Sequence, residues 1–205
     1  MTTFAEASVE SGAHVLCLPE SVTLSDDQFF DFCHVNRDLR IERTADGEII
    51  VMSPAGGGSS HRNLRLNLQI AAWAERDGTG VAFDSSCGFI LPNKATRSPD
   101  ASWVERSRLA TLTEEQKDKF LPLCPDFAVE LRSPSDLLSV LRRKMEEYIA
   151  NGTRLGWLID PLERKVHVYR PGEEPRILDD PNTLSGEPLL PGFELKLEKI
   201  WEMGF

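Results

Sequence analysis

The sequence predicts a mixed α/β fold built on a central sheet flanked by helices, and three observations carry that prediction. The first is an amphipathic stretch, HRNLRLNLQIAAWAERDG, whose apolar side chains recur at helical spacing. The second is a row of three strand candidates after it: GVAFDSSCGFIL, PDASWVE and DFAVELRS. The third is a second helical stretch over residues 136–150, followed by two more strand-like runs, RLGWLIDP and KVHVYRPG. The order helix, strand, strand, strand, helix, strand suits one mixed sheet covered by helices.

Taken in order, TLSDDQFFDFCHVN opens with Ser25 and carries Gln28 at capping-box spacing, which predicts a short helix. LRIERTADGEIIVMSP reads as a hairpin turning at Asp46-Gly47. AGGGSS is a flexible connection; its glycines lack the Gly-Lys-Ser/Thr that a phosphate loop needs. Ser59 or Ser60 is expected to cap the helix that follows. Leu64, Leu68 and Ala71 form one stripe and Leu66, Ile70 and Trp73 another, a broad apolar face that predicts packing on a sheet. RSRLATLTEEQKDKFLPLC is a polar excursion between strands. Ser135 is expected to cap the second helix, and Asn151-Gly152 to stop it. FELKLEKIW alternates as a last strand. The whole chain, 1–205, is expected to be one domain, with a helix and hairpin at 22–54, a core at 59–170 and a C-terminal strand region at 171–205.

A chain of 205 residues with 40% hydrophobic and 27% charged content has the composition of a globular protein able to bury a core. No apolar run approaches the ~20 residues of a membrane span, and MTTFAEASVESGAHVLC lacks the pattern of a secretory leader. A cytoplasmic protein with no membrane partner is expected. Cys17, Cys33, Cys87 and Cys124 are scattered without a CxxC pair, which argues against a zinc site and for buried free thiols. The net charge of −10 argues against broad, tight, non-specific DNA binding, while leaving room for a local basic groove.

The chemistry gathers around two acids and a lysine. With a period of two along 126–132, Asp126, Ala128, Glu130 and Arg132 share one face. Asp100 opens the preceding strand candidate and can lie beside Glu130 if those strands are neighbours. On the second helix Leu137, Leu141, Met145 and Tyr148 define the buried arc, and Lys144 falls within it. A lysine in an apolar stripe must either snorkel outward or meet an acid, and Glu130, or a phosphate near it, is the expected partner. Two adjacent carboxylates repel unless a cation or a proton intervenes, and Mg²⁺ takes one or two carboxylates with water and phosphate. Each residue also has a plainer reading. Asp100 can be an exposed strand-entry acid, Glu130 a structural partner of Arg132 or Lys144, Glu48 a hairpin charge, and Tyr148 a core residue. His61, in the first turn of its helix, can cap, bind substrate or do neither.

SPD, then VELRSPSD, then LRRKMEEYIANGTRLGWLIDP resembles the Uma-type putative restriction endonuclease family of the PD-(D/E)XK nuclease superfamily. The resemblance runs from ERTADGEIIVMSP to LLPGFELKLEKIW. It implies a restriction endonuclease-like αβββαβ core with Asp100 and Glu130 as Mg²⁺ (or Mn²⁺) ligands. The superfamily's lysine two residues after the acid is Arg132 in this chain, a departure: an arginine cannot serve as general base but can grip a phosphate. Lys144 then looks like that lysine moved onto the helix. An upstream acid is also implied, with Glu48 the better match and Glu42 its rival. The expected activity is metal-dependent hydrolysis of DNA phosphodiesters, with Asp100, Glu130, Lys144 and Glu48 catalytic, Arg132 and His61 on the substrate, and a homodimer cutting two strands. The alternative is an inactive nuclease-fold protein serving as a dimeric binding or scaffold module. A metal-dependent hydrolase of a small phosphorylated molecule has no sequence feature of its own.

Overall fold

The structure, a computed structural model, describes residues 13–19 and 21–202. It begins with β1 (Ala13–Leu16) and α1 (Asp26–Val35). The capping box of α1 forms as the sequence predicts: Gln28 N donates to Ser25 Oγ at 3.2 Å, and Ser25 N to Gln28 Oε1 at 2.9 Å. β2 (Arg40–Arg43) and β3 (Ile49–Met52) make the predicted hairpin. Gly47 turns it at a φ of 86°, a left-handed conformation that glycine adopts without steric cost.

The next helix, α2 (Gly57–Asp77), starts earlier than expected, with Gly56 as its N-cap and Ser59 and Ser60 both inside it. Leu66, Ile70, Trp73 and Ala74 are its buried residues, whereas Leu64 and Leu68 are 56% and 53% exposed. The apolar face is therefore narrower than the sequence suggests. At 3.6 residues per turn, positions two apart lie about 200° around the axis, so Leu64 and Leu66 point to opposite sides.

GVAFDSSCGFIL divides between two sheets, as β4 (Gly80–Asp84) and β5 (Phe89–Ile90). β6 (Thr96–Arg97) and β7 (Ala101–Glu105) follow. The polar excursion holds two single-turn helices, α3 (Arg106–Leu109) and α4 (Glu114–Lys117). Then come β8 (Phe127–Leu131), α5 (Leu138–Ala150), β9 (Leu155–Asp160), β10 (Lys165–Tyr169) and β11 (Arg176–Asp179). β12 (Thr183–Ser185) and β13 (Glu194–Lys196) pair with each other ahead of α6 (Glu198–Trp201). FELKLEKIW is thus only partly a strand, because the chain turns helical after Leu197 and buries Ile200 and Trp201. Ser135 does not cap α5: Leu137 is the N-cap, and the Ser135 hydroxyl pairs with that of Ser133 at 2.9 Å.

The central sheet runs β11-β10-β9-β8-β7-β4, with β8 and β9 parallel and the other pairs antiparallel. Within it α2-β4-β7-β8-α5-β9 realises the αβββαβ order, and α5 is the crossover between the parallel strands. A second, antiparallel sheet of order β1-β3-β2-β6-β5 stands beside it. One face of the central sheet packs under α2, β13 and α6 around Trp73, Trp103, Phe127, Trp157, Phe193 and Trp201. The other face packs under α5 around Met145, Tyr148 and Leu158. Covered on both sides, β9 is buried along its whole length, as a parallel strand should be. A Cβ on Gly156 would lie 2.5 Å from Met145 Cε, so glycine at this point of β9 makes room for the end of that α5 side chain. The four cysteines are free, but only Cys124 is buried; Cys17 is exposed and the other two half-buried. Among the described residues no helix is long and apolar enough to cross a membrane.

Candidate active site

Between the second sheet and α5 lies a cavity of about 560 Å³ lined by Arg40, Glu42, Asp100, Glu130 and Lys144, among others. Three elements supply these side chains for local reasons. β2 presents Arg40 and Glu42 on one face, two residues apart. Asp100 stands just before β7 and Glu130 lies on β8, one step beyond the Ala101↔Val129 pair of their antiparallel ladder. Lys144 points from α5 into the gap between them.

Lys144 Nζ is 3.0 Å from Glu130 Oε1 and donates to Glu42 Oε1 at 2.9 Å. The lysine in the apolar stripe thus meets the predicted acid, and a second one. Tyr148 OH donates to the same Glu130 oxygen at 3.0 Å. Glu42 is held further by Ser98 N at 3.0 Å and by Arg97 at 3.1 Å, and Arg97 continues to Glu147 at 2.6 Å. Asp100 accepts from Leu131 N through Oδ2 at 2.8 Å; its Oδ1 faces Arg40 and Asn63, each at 3.5 Å. Asn67 on α2 donates to the Asp100 carbonyl at 2.9 Å and fixes the entrance of the strand.

The two buried glutamates sit in opposite electrostatic states. Burial pushes Glu130 up to about 7, aided by the charges of Asp100 and Glu42 and only partly offset by Lys144 and Arg40. Burial also opposes the charge on Glu42, but Lys144, Arg97, Arg40 and the Ser98 amide outweigh it and hold this acid at about 2. The same ion pair therefore leaves one partner acid ionised and the other close to its midpoint near neutral pH. Burial works against the Lys144 charge too, yet Glu130 and Glu42 hold its affinity for protons above the usual lysine range. Lys144 is an ammonium and a donor, not a base. Tyr148 is pushed well above its ordinary value by burial and by the same glutamates.

Asp100, Glu130, Lys144 and Glu48 all line the cavity. Glu48 stands next to the hairpin turn, where its carboxylate accepts from the Cys17 thiol at 3.9 Å. Of the two upstream acids it is Glu42 that reaches Lys144; the hairpin carries Glu42 inward and leaves Glu48 near the turn. Arg132 is outside the lining, with its NH1 2.6 Å from Asp160 Oδ2 at the far end of β9. His61 is also outside it, on α2, where its Nε2 accepts from Arg65 at 3.3 Å. Sequence reasoning did not single out Arg40, Arg97, Asn63, Asn67 or Glu147. Period-two spacing from Glu42 could have flagged Arg40. Nothing in the spacing flags the others, because their contacts join separate elements: Asn63 and Asn67 of α2 to Asp100, and Arg97 of β6 to Glu147 of α5.

Residues 26–198 match the family model Uma2, described as "Putative restriction endonuclease". The chain belongs to the Uma2 family. A crystal structure described as that of a putative nuclease belonging to DUF820, from Anabaena variabilis, resembles this one with a TM-score of 0.68 at 23% sequence identity. The match covers 78% of this chain and 89% of that chain, and is a likeness of fold. No curated protein matches the sequence.

The donor set bears on the metal that such a family implies. Among the described residues no group of three His, Cys, Asp or Glu side chains is arranged to hold a metal ion. Asp100 and Glu130 form a pair of carboxylates opening on a cavity, a set that fits Mg²⁺ completed by water and phosphate and does not fit zinc.

Proposed function

We propose that this Uma2 chain is a Mg²⁺- or Mn²⁺-dependent endonuclease hydrolysing DNA phosphodiester bonds in the cytoplasm. The observation that carries the reading is one ammonium, Lys144, shared by Glu130 and Glu42 in a cavity that also contains Asp100. Asp100 and Glu130 would hold the ion, which when bound would polarise the phosphodiester and lower the pKa of a coordinated water. The rest belongs to the chain. Lys144, an ammonium with three protons, donates to Glu42 and stands 3.0 Å from Glu130, where it would orient the attacking water or meet charge developing on the phosphate. Glu42, ionised at neutral pH, keeps that ammonium charged and in place. Tyr148 fixes the Glu130 carboxylate through Oε1 and leaves Oε2 outside that contact. Glu48 lies on the approach rather than beside the lysine. Arg132 and His61 would act by supporting β8 and α2. A homodimer is the simplest assembly for cutting both strands.

The test is cleavage of plasmid and single-stranded DNA with Mg²⁺ or Mn²⁺, repeated with Asp100→Ala and Lys144→Ala. Loss in both variants is expected, at about 10²-fold or more; activity surviving both removes the assignment. A second reading, a nuclease-fold module that binds without cutting, is favoured by one observation: Glu42, Asp100 and Glu130 each already face a protein cation. Calorimetry with Mn²⁺ separates the two, since the module would take up no ion at millimolar concentration.

A further inference from the structure

Arg40 is a charged group of the cavity, in reach of Asp100, that the chemistry above does not use. Its side chain is 36% exposed and reaches the cavity from β2. Burial works against its charge, but Asp100, Glu42 and Glu130 together hold it. A guanidinium that feels all three acids of the site opposes, by its own charge, any small cation that enters it.

It is nonetheless held loosely. NH2 donates to the Ser98 carbonyl at 2.8 Å, the one short contact it makes with the site. NH1 stands 3.5 Å from Asp100 Oδ1, long for a charge-assisted pair and well outside the 2.6 Å of Arg97 to Glu147. Nε is buried and, among the described residues, has no hydrogen-bond partner. An orphaned buried donor on an ionised group is costly and calls for an explanation. Asp100 shows the complementary asymmetry. Its Oδ2 is fixed by the Leu131 amide at 2.8 Å, while Oδ1 has, among the described residues, the two contacts at 3.5 Å. The oxygen free to change partners is the one that faces Arg40.

We propose that Arg40 is the site's resident cation: it neutralises Asp100 until a divalent ion takes that carboxylate, and then turns its fork to the phosphate that arrives with the ion. This rests on the metal-dependent reading above and adds a positioning residue that reading lacks. A fixed positive charge beside a cation site weakens ion binding by direct repulsion. A freed guanidinium can meet a phosphate in bidentate fashion, which a lysine cannot reproduce.

The experiment is calorimetric and needs no turnover. Mn²⁺ alone is titrated into the wild-type chain, R40Q and R40K, and a short oligonucleotide phosphorothioate resistant to hydrolysis is then titrated into each Mn²⁺-loaded protein. R40Q should bind Mn²⁺ about tenfold more tightly than wild type, because the competing charge is gone. R40K should bind Mn²⁺ as wild type does and the oligonucleotide about tenfold more weakly, because the charge remains and the fork is lost. Equal Mn²⁺ affinity in wild type and R40Q overturns this proposal and leaves the nuclease reading standing. No Mn²⁺ uptake by either protein overturns both. Should R40Q fail to fold, R40K decides alone, and an unchanged oligonucleotide affinity ends the proposal.

Discussion

Two buried acids stand four residues apart at opposite ends of one strand, and they differ in almost everything except burial. Asp126, just ahead of β8, has partners of its own: Arg108 at 2.9 Å, Arg154 at 3.8 Å and the Glu105 amide at 2.9 Å. Both arginines reach outward, 36% and 54% exposed, so their charges remain hydrated. Glu130 at the other end shares a single lysine with Glu42, and that lysine is enclosed. Only the second acid lines the cavity. A buried carboxylate is therefore not by itself a sign of function. Where each acid has its own solvated cation the arrangement is complete. Where two acids share an enclosed lysine at the edge of a cavity, an incoming cation or phosphate can still improve the arrangement.

Removing the cation at each end sharpens the contrast, and here the largest effect is expected. Lys144→Met leaves Glu42 and Glu130 enclosed with less positive charge and should cost about 3 kcal/mol at pH 8. Arg108→Met removes a partly hydrated partner and leaves Asp126 with Arg154 and an amide, so its cost should stay below about 1 kcal/mol. Urea melts of the two variants measure both. Equal losses would mean that the two ends are the same kind of ion pair, and the distinction would fail.

Much of this was legible in the sequence because it rests on local periodicity. The αβββαβ order followed from alternation and helical spacing, and Lys144 was conspicuous because an ammonium in an apolar stripe needs an acid. Asp100 and Glu130 converge because β7 and β8 are hydrogen-bonded neighbours. Glu42 was harder. Choosing it over Glu48 requires knowing which end of the hairpin faces α5, a relation between a sheet and a helix that no single-segment pattern contains. Arg97 and Glu147 failed to register for the same reason, being joined across fifty residues of chain. The second sheet itself was hidden by the very short β5 and β6, where a turn divides what reads as one apolar run. Ser135 matched a cap by composition, but Asp136 takes the local bond by accepting from Ser133 N at 2.7 Å.

A second effect, no larger than the first, tests the electrostatic half of the comparison. Glu130 is raised in the fold to about 7 from an ordinary 4.5. Between those values the folded chain keeps a proton that the unfolded chain releases. The contribution of Glu130 is thus fully present below pH 4.5 and lost as pH rises through about 7. Glu42, at about 2, runs the other way: its contribution is present above 4.5 and lost as pH falls through about 2. Glu130→Gln abolishes only the alkaline loss. Without metal, the variant should be more stable than wild type by about 3 kcal/mol at pH 8 and by less than about 1 kcal/mol at pH 5. Thermal melts at the two pH values decide it; no gain at pH 8 would show that Lys144 keeps Glu130 ionised at little cost.

The smallest effect belongs to Arg132, where residue type and position point in different directions. Its place two residues after Glu130 invites a role on the substrate, and the guanidinium would suit a phosphate. Yet the strand ends at Leu131, and Arg132 N already donates to the Ile159 carbonyl at 2.9 Å. Its guanidinium is held by Asp160, a fully buried acid that also accepts from Leu162 N at 2.9 Å. Because that amide remains, Arg132→Gln should cost about 1 kcal/mol and change cleavage by no more than about twofold. A loss beyond about tenfold with stability preserved would instead mean that substrate draws Arg132 away from Asp160. The binding surface would then extend past the cavity to the far end of β9, and the line between scaffold pair and working site would have to be redrawn to include it.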